Sequence, residues 1–229
     1  MSLTRTLHHF PLDPASRQVR LALAEKKLIF VDEVVRYWER PKAFLALNPS
    51  GLTPVLVEQA TALEPLVICE ARAILEHLER EVSGPDLLGA TPAERAETRR
   101  LMQWFDRKFD AEVDAYLLQE KLEKRLTKMG APDLYSLRQG REALRGHLAY
   151  MEKLLGGRDW LAGRRLTLAD FAAAAHLSVI DYFGDVPWRD FGQVKTWYMK
   201  IKSRPAFRPL LLDRWPGLPP SAHYDDLDF

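Results

Sequence analysis

At 229 residues with 47% hydrophobic side chains, the chain is long enough for one domain or two packed ones, each with its own core. Its 33 Lys and Arg stand against 32 Asp and Glu, a net charge of +1, which removes the whole-chain attraction to polyanions that nucleic-acid and polybasic membrane binders use. No apolar run exceeds five residues, as in 171–175, against about 20 for a spanning helix; residues 1–11 carry no signal-peptide stretch, and the lone Cys69 makes neither an internal disulfide nor a metal cluster. These features point to a soluble, cytoplasmic protein with no nucleic acid, no direct membrane insertion, no metal and no cofactor.

Residues 4–8 are a strand candidate, residues 15–26 read as a helix through Val19, Leu21, Ala22 and Leu23, and residues 28–35 alternate as a second strand. Asn48-Pro49-Ser50-Gly51 is dense turn chemistry, residues 54–57 and 66–68 are short strands, and residues 69–81 form a helix with Ile74, Leu75 and Leu78 inward. Ser83-Gly84-Pro85 punctuates the chain as a linker does, and Thr91-Pro92 marks the next helix start. Beyond it the period changes from two to 3.6. Leu101, Phe105, Phe109, Val113 and Leu117, continued by Leu118, Leu122 and Leu126, predict one long amphipathic helix ending at Met129-Gly130 and bent along its length. Leu137, Leu144, Leu148, Met151 and Leu155 predict a second helix closed by Gly156-Gly157. Thr167 and Asp170 read as a capping pair before a buried, alanine-rich helix over 171–180, and two short helices follow over 191–201 and 205–212. The class is α+β, with a mixed domain over 1–82, a linker over 83–91, an all-helical domain over 92–213, and a proline-rich segment and tail over 214–229.

The six histidines show no metal-ligand spacing, and no GxSxG, GxGxxG or GxxxxGK pattern occurs. Cys69 lies in an apolar run and reads as a buried structural thiol. Asp170, three residues after Thr167, reads as a cap that holds the fold. Tyr37 and Trp38, with Arg36 beside them in a segment between a strand and a short helix, have the composition of an interface anchor; the plainer account is a Trp packed on its own helix. Lys121, Lys124, Arg125 and Lys128 read first as a solvated face and second as an extension of that interface. The tail places Tyr224, Leu227 and Phe229 among Asp225, Asp226 and Asp228, an interleaving that suggests a docking peptide over 223–229; the plainer account folds it back on the helical domain.

Asn48-Pro49-Ser50-Gly51-Leu52-Thr53-Pro54-Val55-Leu56 in the first half, with Trp160-Leu161-Ala162-Gly163 and Leu166-Thr167-Leu168-Ala169-Asp170 in the second, resembles the cytosolic glutathione transferases over residues 1–213. The resemblance implies a thioredoxin-like domain, a cis peptide before Pro54, glutathione bound on that domain, and a homodimer whose long helix, with Phe105 and Phe109, lies near the seam. It also implies a hydroxyl or thiol at the start of the first helix that favours the glutathione thiolate, and an acid followed by serine that grips the γ-glutamyl carboxylate. Asp13 aligns with the first position, where a carboxylate repels a forming thiolate. Glu70-Ala71 stands at the second and lacks the serine hydroxyl. A vestigial cleft of Asp13, Ser16, Thr53, Pro54, Glu70 and Ala71 is expected, without transferase activity. The alternative is a working glutathione transferase for small electrophiles, with Ser16, one helical turn beyond Asp13, serving the thiol.

Within this superfamily, residues 8–14, 103–109, 181–188 and 223–229 resemble the bacterial glutathione-transferase-like proteins that bind the division GTPase FtsZ. That resemblance implies a non-enzymatic dimer, cytoplasmic and recruited to the division site, that curves or stabilises FtsZ filaments and promotes constriction. Arg36, Tyr37, Trp38, Lys121, Lys124 and Arg125 would contact the filament. The tail, Tyr224 to Phe229, would engage a second division protein.

Overall fold

The structure, a computed structural model, describes residues 3–61 and 63–227. The chain divides into two compact units, Met1–Pro85 and Asp86–Phe229.

The first unit is a four-stranded mixed sheet of order β2-β1-β3-β4, with β1 Leu3–His9, β2 Val31–Val34, β3 Val55–Ala60 and β4 Leu66–Cys69. β1 pairs parallel with β2 and antiparallel with β3, and β3 pairs antiparallel with β4. The helices are α1 Pro14–Glu25, the short α2 Lys42–Leu47 and α3 Ala71–Glu81, the arrangement expected of a thioredoxin-like unit. α1 packs on α3, and Val19, Leu21, Leu23, Ile74, Leu75 and Leu78 are buried as the helical spacing predicts. β2 is shorter than residues 28–35, because the Leu28 N–H turns back to the Leu23 carbonyl at 2.9 Å with Lys27 in the left-handed region at φ 56°. Cys69 is half-buried, packed beside Val35, Phe44 and Val55 with Sγ 3.5 Å from the Leu47 carbonyl, and burial pushes its thiol up. It is a packing residue, though less enclosed than its apolar neighbours suggest. The Asn48 side chain bridges the turn, its Nδ2 donating to Leu52 O at 2.8 Å and its Oδ1 accepting from Ser50 N, while Gly51 takes φ 74°, which side chains resist. That turn delivers Thr53-Pro54, whose peptide bond is cis.

The second unit begins at once after Pro85. Leu87 and Leu88 are buried, and the Leu168 N–H donates to Leu87 O at 2.8 Å, so residues 86–90 are anchored rather than loose. Thr91 and Glu94 form a reciprocal cap for α4 Pro92–Gln103. The helix runs on through a π-helical stretch, Trp104–Asp114, then α5 Ala115–Leu118, a second wide stretch Gln119–Glu123, and α6 Lys124–Thr127, ending at Lys128 in the left-handed region. The wide turns explain a detail of the sequence. Residues spaced four apart drift roughly 40° per step on a 3.6-residue helix, so Leu101, Phe105, Phe109, Val113 and Leu117 would wind off the core. Turns with more residues each restore the alignment, and all five are fully buried.

α7 Leu134–Leu155 is capped by Asp133 and approaches α5 at Gly140, where a Cβ would lie 2.8 Å from Leu117 and 2.9 Å from Tyr116. Every residue of α8 Leu168–Tyr182 is buried. Asp170 closes its cap: its carboxylate accepts from the N–H groups of Leu161 and Thr167, from Thr167 Oγ1 and from Trp197 Nε1, all at 2.9–3.1 Å. The Trp160-to-Gly163 turn exists to aim the Leu161 N–H at it. α9 Gly192–Lys202 agrees with the expected helix, whereas α10 spans only Arg208–Leu211 because residues 203–207 close as turns. Phe105 and Phe109 are core side chains of this unit, with Phe109 edge-on to His147 and His176.

Candidate functional site

Three places hold the residues singled out in the sequence. The first is the start of α1. Asp13 is its N-cap: Oδ1 accepts from Ala15 N and Oδ2 from Ser16 N, both at 3.1 Å. The Ser16 hydroxyl donates to Asp13 Oδ2 at 2.6 Å and accepts from Phe10 N at 3.2 Å. Thr53 Oγ1 donates to the same carboxylate at 2.8 Å. Burial raises the Asp13 carboxyl above its usual range, against the pull of these hydrogen bonds. The Ser16 and Thr53 hydroxyls therefore converge on one oxygen of Asp13. Ser16 is fully buried and its oxygen both donates, to Asp13, and accepts, from Phe10 N, so it offers no spare proton to a thiolate, contrary to the role the alternative gave it. Glu70 begins α3 at φ 72°, its N–H on Pro54 O at 3.3 Å and its exposed side chain making no cap bond; Ala71 follows. The structure thus brings the cleft residues together, but as a helix cap.

The second place is the 3₁₀ turn Tyr37–Glu39. Tyr37 and Trp38 are half-buried, both edge-on to Phe10 with centroids 5.6 and 5.2 Å away, and edge-on to each other at 5.2 Å. Arg36 is exposed and pairs with Glu39 at 3.3 Å. The rings are braced by Phe10 and remain half-buried.

The third place corrects two expectations in the helical unit. Lys121 is not a free basic residue: its Nζ sits 2.5 Å from Asp185 and donates to Phe183 O. Lys124 pairs with Glu120 at 2.5 Å, one helical turn away. Only Arg125 and Lys128 of that group are exposed. The tail is likewise not an independent peptide as far as residue 226. Ser221 binds the end of α8 through its N–H on Tyr182 O and its hydroxyl on Asp181 O; His223 Nε2 lies 2.8 Å from Asp181. Tyr224 is fully buried, donates to Leu210 O at 3.0 Å and packs edge-on to Tyr182. Lys202 Nζ donates to the carbonyls of His223 and Asp226, and Arg214 pairs with Asp225. Tyr224 is thus a core anchor and Asp225 an ion-pair partner, while Asp226 and Leu227 lie at the surface edge. Asp228 and Phe229 lie outside the described residues.

The sequence reading missed the hub of this clasp, Asp181. It is buried, accepts from Trp188 Nε1 and His223 at 2.8 Å and from Tyr198 OH at 3.3 Å, with Lys202 at 3.9 Å. The available signal was a charge inside an otherwise apolar helix, which is costly to bury without partners. His176 carries the same signal. It contacts Asp114, with Asp106 at 3.8 Å; burial alone drives the imidazole down, but these carboxylates outweigh it and hold it up to about 10.

Models of the glutathione S-transferase N-terminal and C-terminal domains match residues 14–81 and 132–205. Glutathione S-transferase F10 of Arabidopsis thaliana is 31% identical over 86% of this chain and 92% of its own length. The chain belongs to the glutathione transferase superfamily. Within it, FtsZ-localized protein A of Caulobacter vibrioides is 73% identical over the full length of both chains. The solved structure of FzlA from C. crescentus superposes with a TM-score of 0.97 at 72% identity, covering 99% of this chain and all of that one. A glutathione S-transferase from Rhodospirillum rubrum follows at TM-score 0.95 and 50% identity, over 99% of this chain. Among the described residues no helix is long and apolar enough to cross a membrane, and no cluster of His, Cys, Asp and Glu could hold a metal.

Proposed function

We propose that this glutathione transferase homologue is a non-enzymatic cell-division regulator that binds FtsZ filaments, curves or stabilises them and promotes constriction. The observation that carries the reading is end-to-end identity of 73% to FtsZ-localized protein A. The convergence of Ser16 and Thr53 on Asp13 supports the non-enzymatic part, because the position at which the family activates a thiol is occupied by a carboxylate and its neighbouring hydroxyls are engaged. The protein acts as a homodimer in the cytoplasm and is recruited to the division site. Its filament contact is the rim of Tyr37 and Trp38 with Arg36, where braced aromatic edges beside a guanidinium form an anchor of the kind protein interfaces favour. With Lys121 and Lys124 committed to intramolecular pairs, the helical unit adds at most Arg125.

Co-sedimentation with GTP-assembled FtsZ tests this. The wild type pellets with filaments, and Trp38→Ala weakens binding by about 2 kcal/mol, roughly thirtyfold, with an unchanged circular dichroism spectrum. Full pelleting of a folded Trp38→Ala protein removes the rim from the interface; failure of the wild type to pellet removes the function. Glutathione-dependent conjugation of a model electrophile that disappears in Ser16→Ala would restore the transferase reading.

A further inference from the structure

The turn between α6 and α7 exposes apolar side chains that neither the transferase chemistry nor the FtsZ reading uses. Met129, Leu134 and Tyr135 are 67%, 78% and 68% exposed, whereas Leu137, one turn along α7 from Leu134, is buried. Side chains this open stand proud of the surface, and a Cβ added at Gly130, between them, would meet nothing within 4 Å. Basic residues flank them. Arg125 lies in α6, Lys128 is its C-cap, and Arg138 lies one turn along α7 on the side of Leu134 and Tyr135. All three are exposed and make no ion pair among the described residues. The carboxylates at this end are engaged: Glu120 holds Lys124, Asp133 caps α7 by accepting from Ser136 N at 2.9 Å, and Glu123 is half-buried with contacts of its own. The turn is also held in shape. The Asp133 N–H donates to Glu120 at 2.6 Å and the Met129 N–H to Lys124 O at 2.9 Å, so the tip loses little conformational freedom on binding.

We propose that this tip docks on an anionic lipid surface, with Met129, Leu134 and Tyr135 entering the headgroup layer and Lys128 and Arg138, backed by Arg125, meeting lipid phosphates. Two features favour lipid over a protein. A convex tip has no walls of its own to hold a peptide, whereas a bilayer interface closes around an apolar protrusion of any shape. The mixture is also that of interfacial segments, with an aromatic hydroxyl at headgroup level, aliphatic chains beside it and long cationic side chains that keep their heads in water. A net charge of +1 gives the chain as a whole no such attraction, so binding depends on this end and on the anionic fraction of the lipid. The contact is peripheral, since no described helix is long and apolar enough to span.

The probe is a vesicle of phosphatidylglycerol and phosphatidylcholine in equal parts, floated with the full chain at low ionic strength, with pure phosphatidylcholine as the neutral comparison. The wild type floats with the anionic vesicles and not with the neutral ones, and added salt releases it. Lys128→Gln combined with Arg138→Gln weakens binding about twentyfold, at roughly fivefold per cation. Leu134→Ser weakens it about tenfold, through the lost apolar burial. The three positions are exposed, so the circular dichroism spectrum of each variant is unchanged. The inference is overturned if the wild type stays in the soluble fraction, as a tip that serves a protein partner does, if neutral vesicles carry it equally well, or if either variant floats as the wild type does. None of these readouts involves FtsZ.

Discussion

His9 of the thioredoxin-like unit and His176 of the helical unit are both buried, and the two are opposites. In the thioredoxin-like unit, His9 at the end of β1 is almost fully buried, its nearest acidic atom Asp32 Oδ1 at 3.4 Å, outside hydrogen-bond geometry. Burial, with Arg20 and Arg17 adding to it, pushes His9 down to about 3, so it is neutral. In the helical unit, His176 lies among the carboxylates of Asp114 and Asp106 and is held up to about 10. The same side chain under similar burial becomes a neutral packing group in one unit and a buried cation in the other. Burial therefore does not decide charge; the charges reachable from that position do.

The largest break in this comparison comes from removing a partner. Asp114→Ala leaves the buried imidazolium with the weaker pull of Asp106 and Asp110 and is expected to destabilise the protein by about 3–5 kcal/mol in urea unfolding, whereas His9→Leu costs less than about 1 kcal/mol or stabilises. Equal costs for the two would show that His9 has a partner as important as Asp114.

pH sharpens the same contrast. His176 has a folded pKa above its unfolded value near 6.5, so its contribution is fully present below 6.5 and is lost as pH rises towards 10. That loss is on the order of a few kcal/mol. His9 has the opposite sign. Below 6.5 the unfolded chain takes up a proton that folded His9 refuses until about 3, so its contribution is present above 6.5 and lost as pH falls through that window. Imidazole nitrogen shifts measured by NMR should show His176 still protonated at a pH where free histidine is neutral, and His9 still neutral where free histidine is charged. Parallel titration of both near 6.5 would contradict both assignments.

The next effect concerns the closing segment. Tyr224→Ala removes a fully buried ring and a hydrogen bond to Leu210, at a cost of about 3 kcal/mol, and frees the backbone from residue 221 onward to proteolysis. Unchanged protease resistance would return the segment to the independent peptide that its composition suggested.

The smallest effect is at the cap of α1. Asp13→Ala loses two backbone hydrogen bonds and the anchor for Ser16 and Thr53, an expected cost of about 0.5–2 kcal/mol, and on the proposed reading glutathione conjugation is expected from neither parent nor variant. The comparable cap in the other unit, Asp170, also binds Trp197 and is fully buried, so Asp170→Ala should cost more. Chemical denaturation of the two variants ranks them.

Local chemistry was legible in the amino-acid order. The βαβ opening, the Asn48-to-Gly51 turn, the Thr167–Asp170 cap and the buried alanine-rich helix all follow from rules acting within a few residues. The strict four-residue spacing of Leu101 to Leu117 even held the record of the wide turns, since no regular α-helix keeps such a row in line. The tertiary structure decided what each charged side chain meets. Lys121 reads as a surface cation until Asp185, 64 positions later, folds beside it, and Ser16 reads as a spare hydroxyl until it and Thr53 converge on Asp13. Tyr224 and Asp226 read as a free docking motif until Tyr224 enters the core on Leu210 and Lys202 ties the Asp226 carbonyl at the surface edge. Capping and periodicity are set by neighbours along the chain, whereas the partner of a charge or the cover of an aromatic ring is set by residues that only the folded backbone brings within a few ångströms.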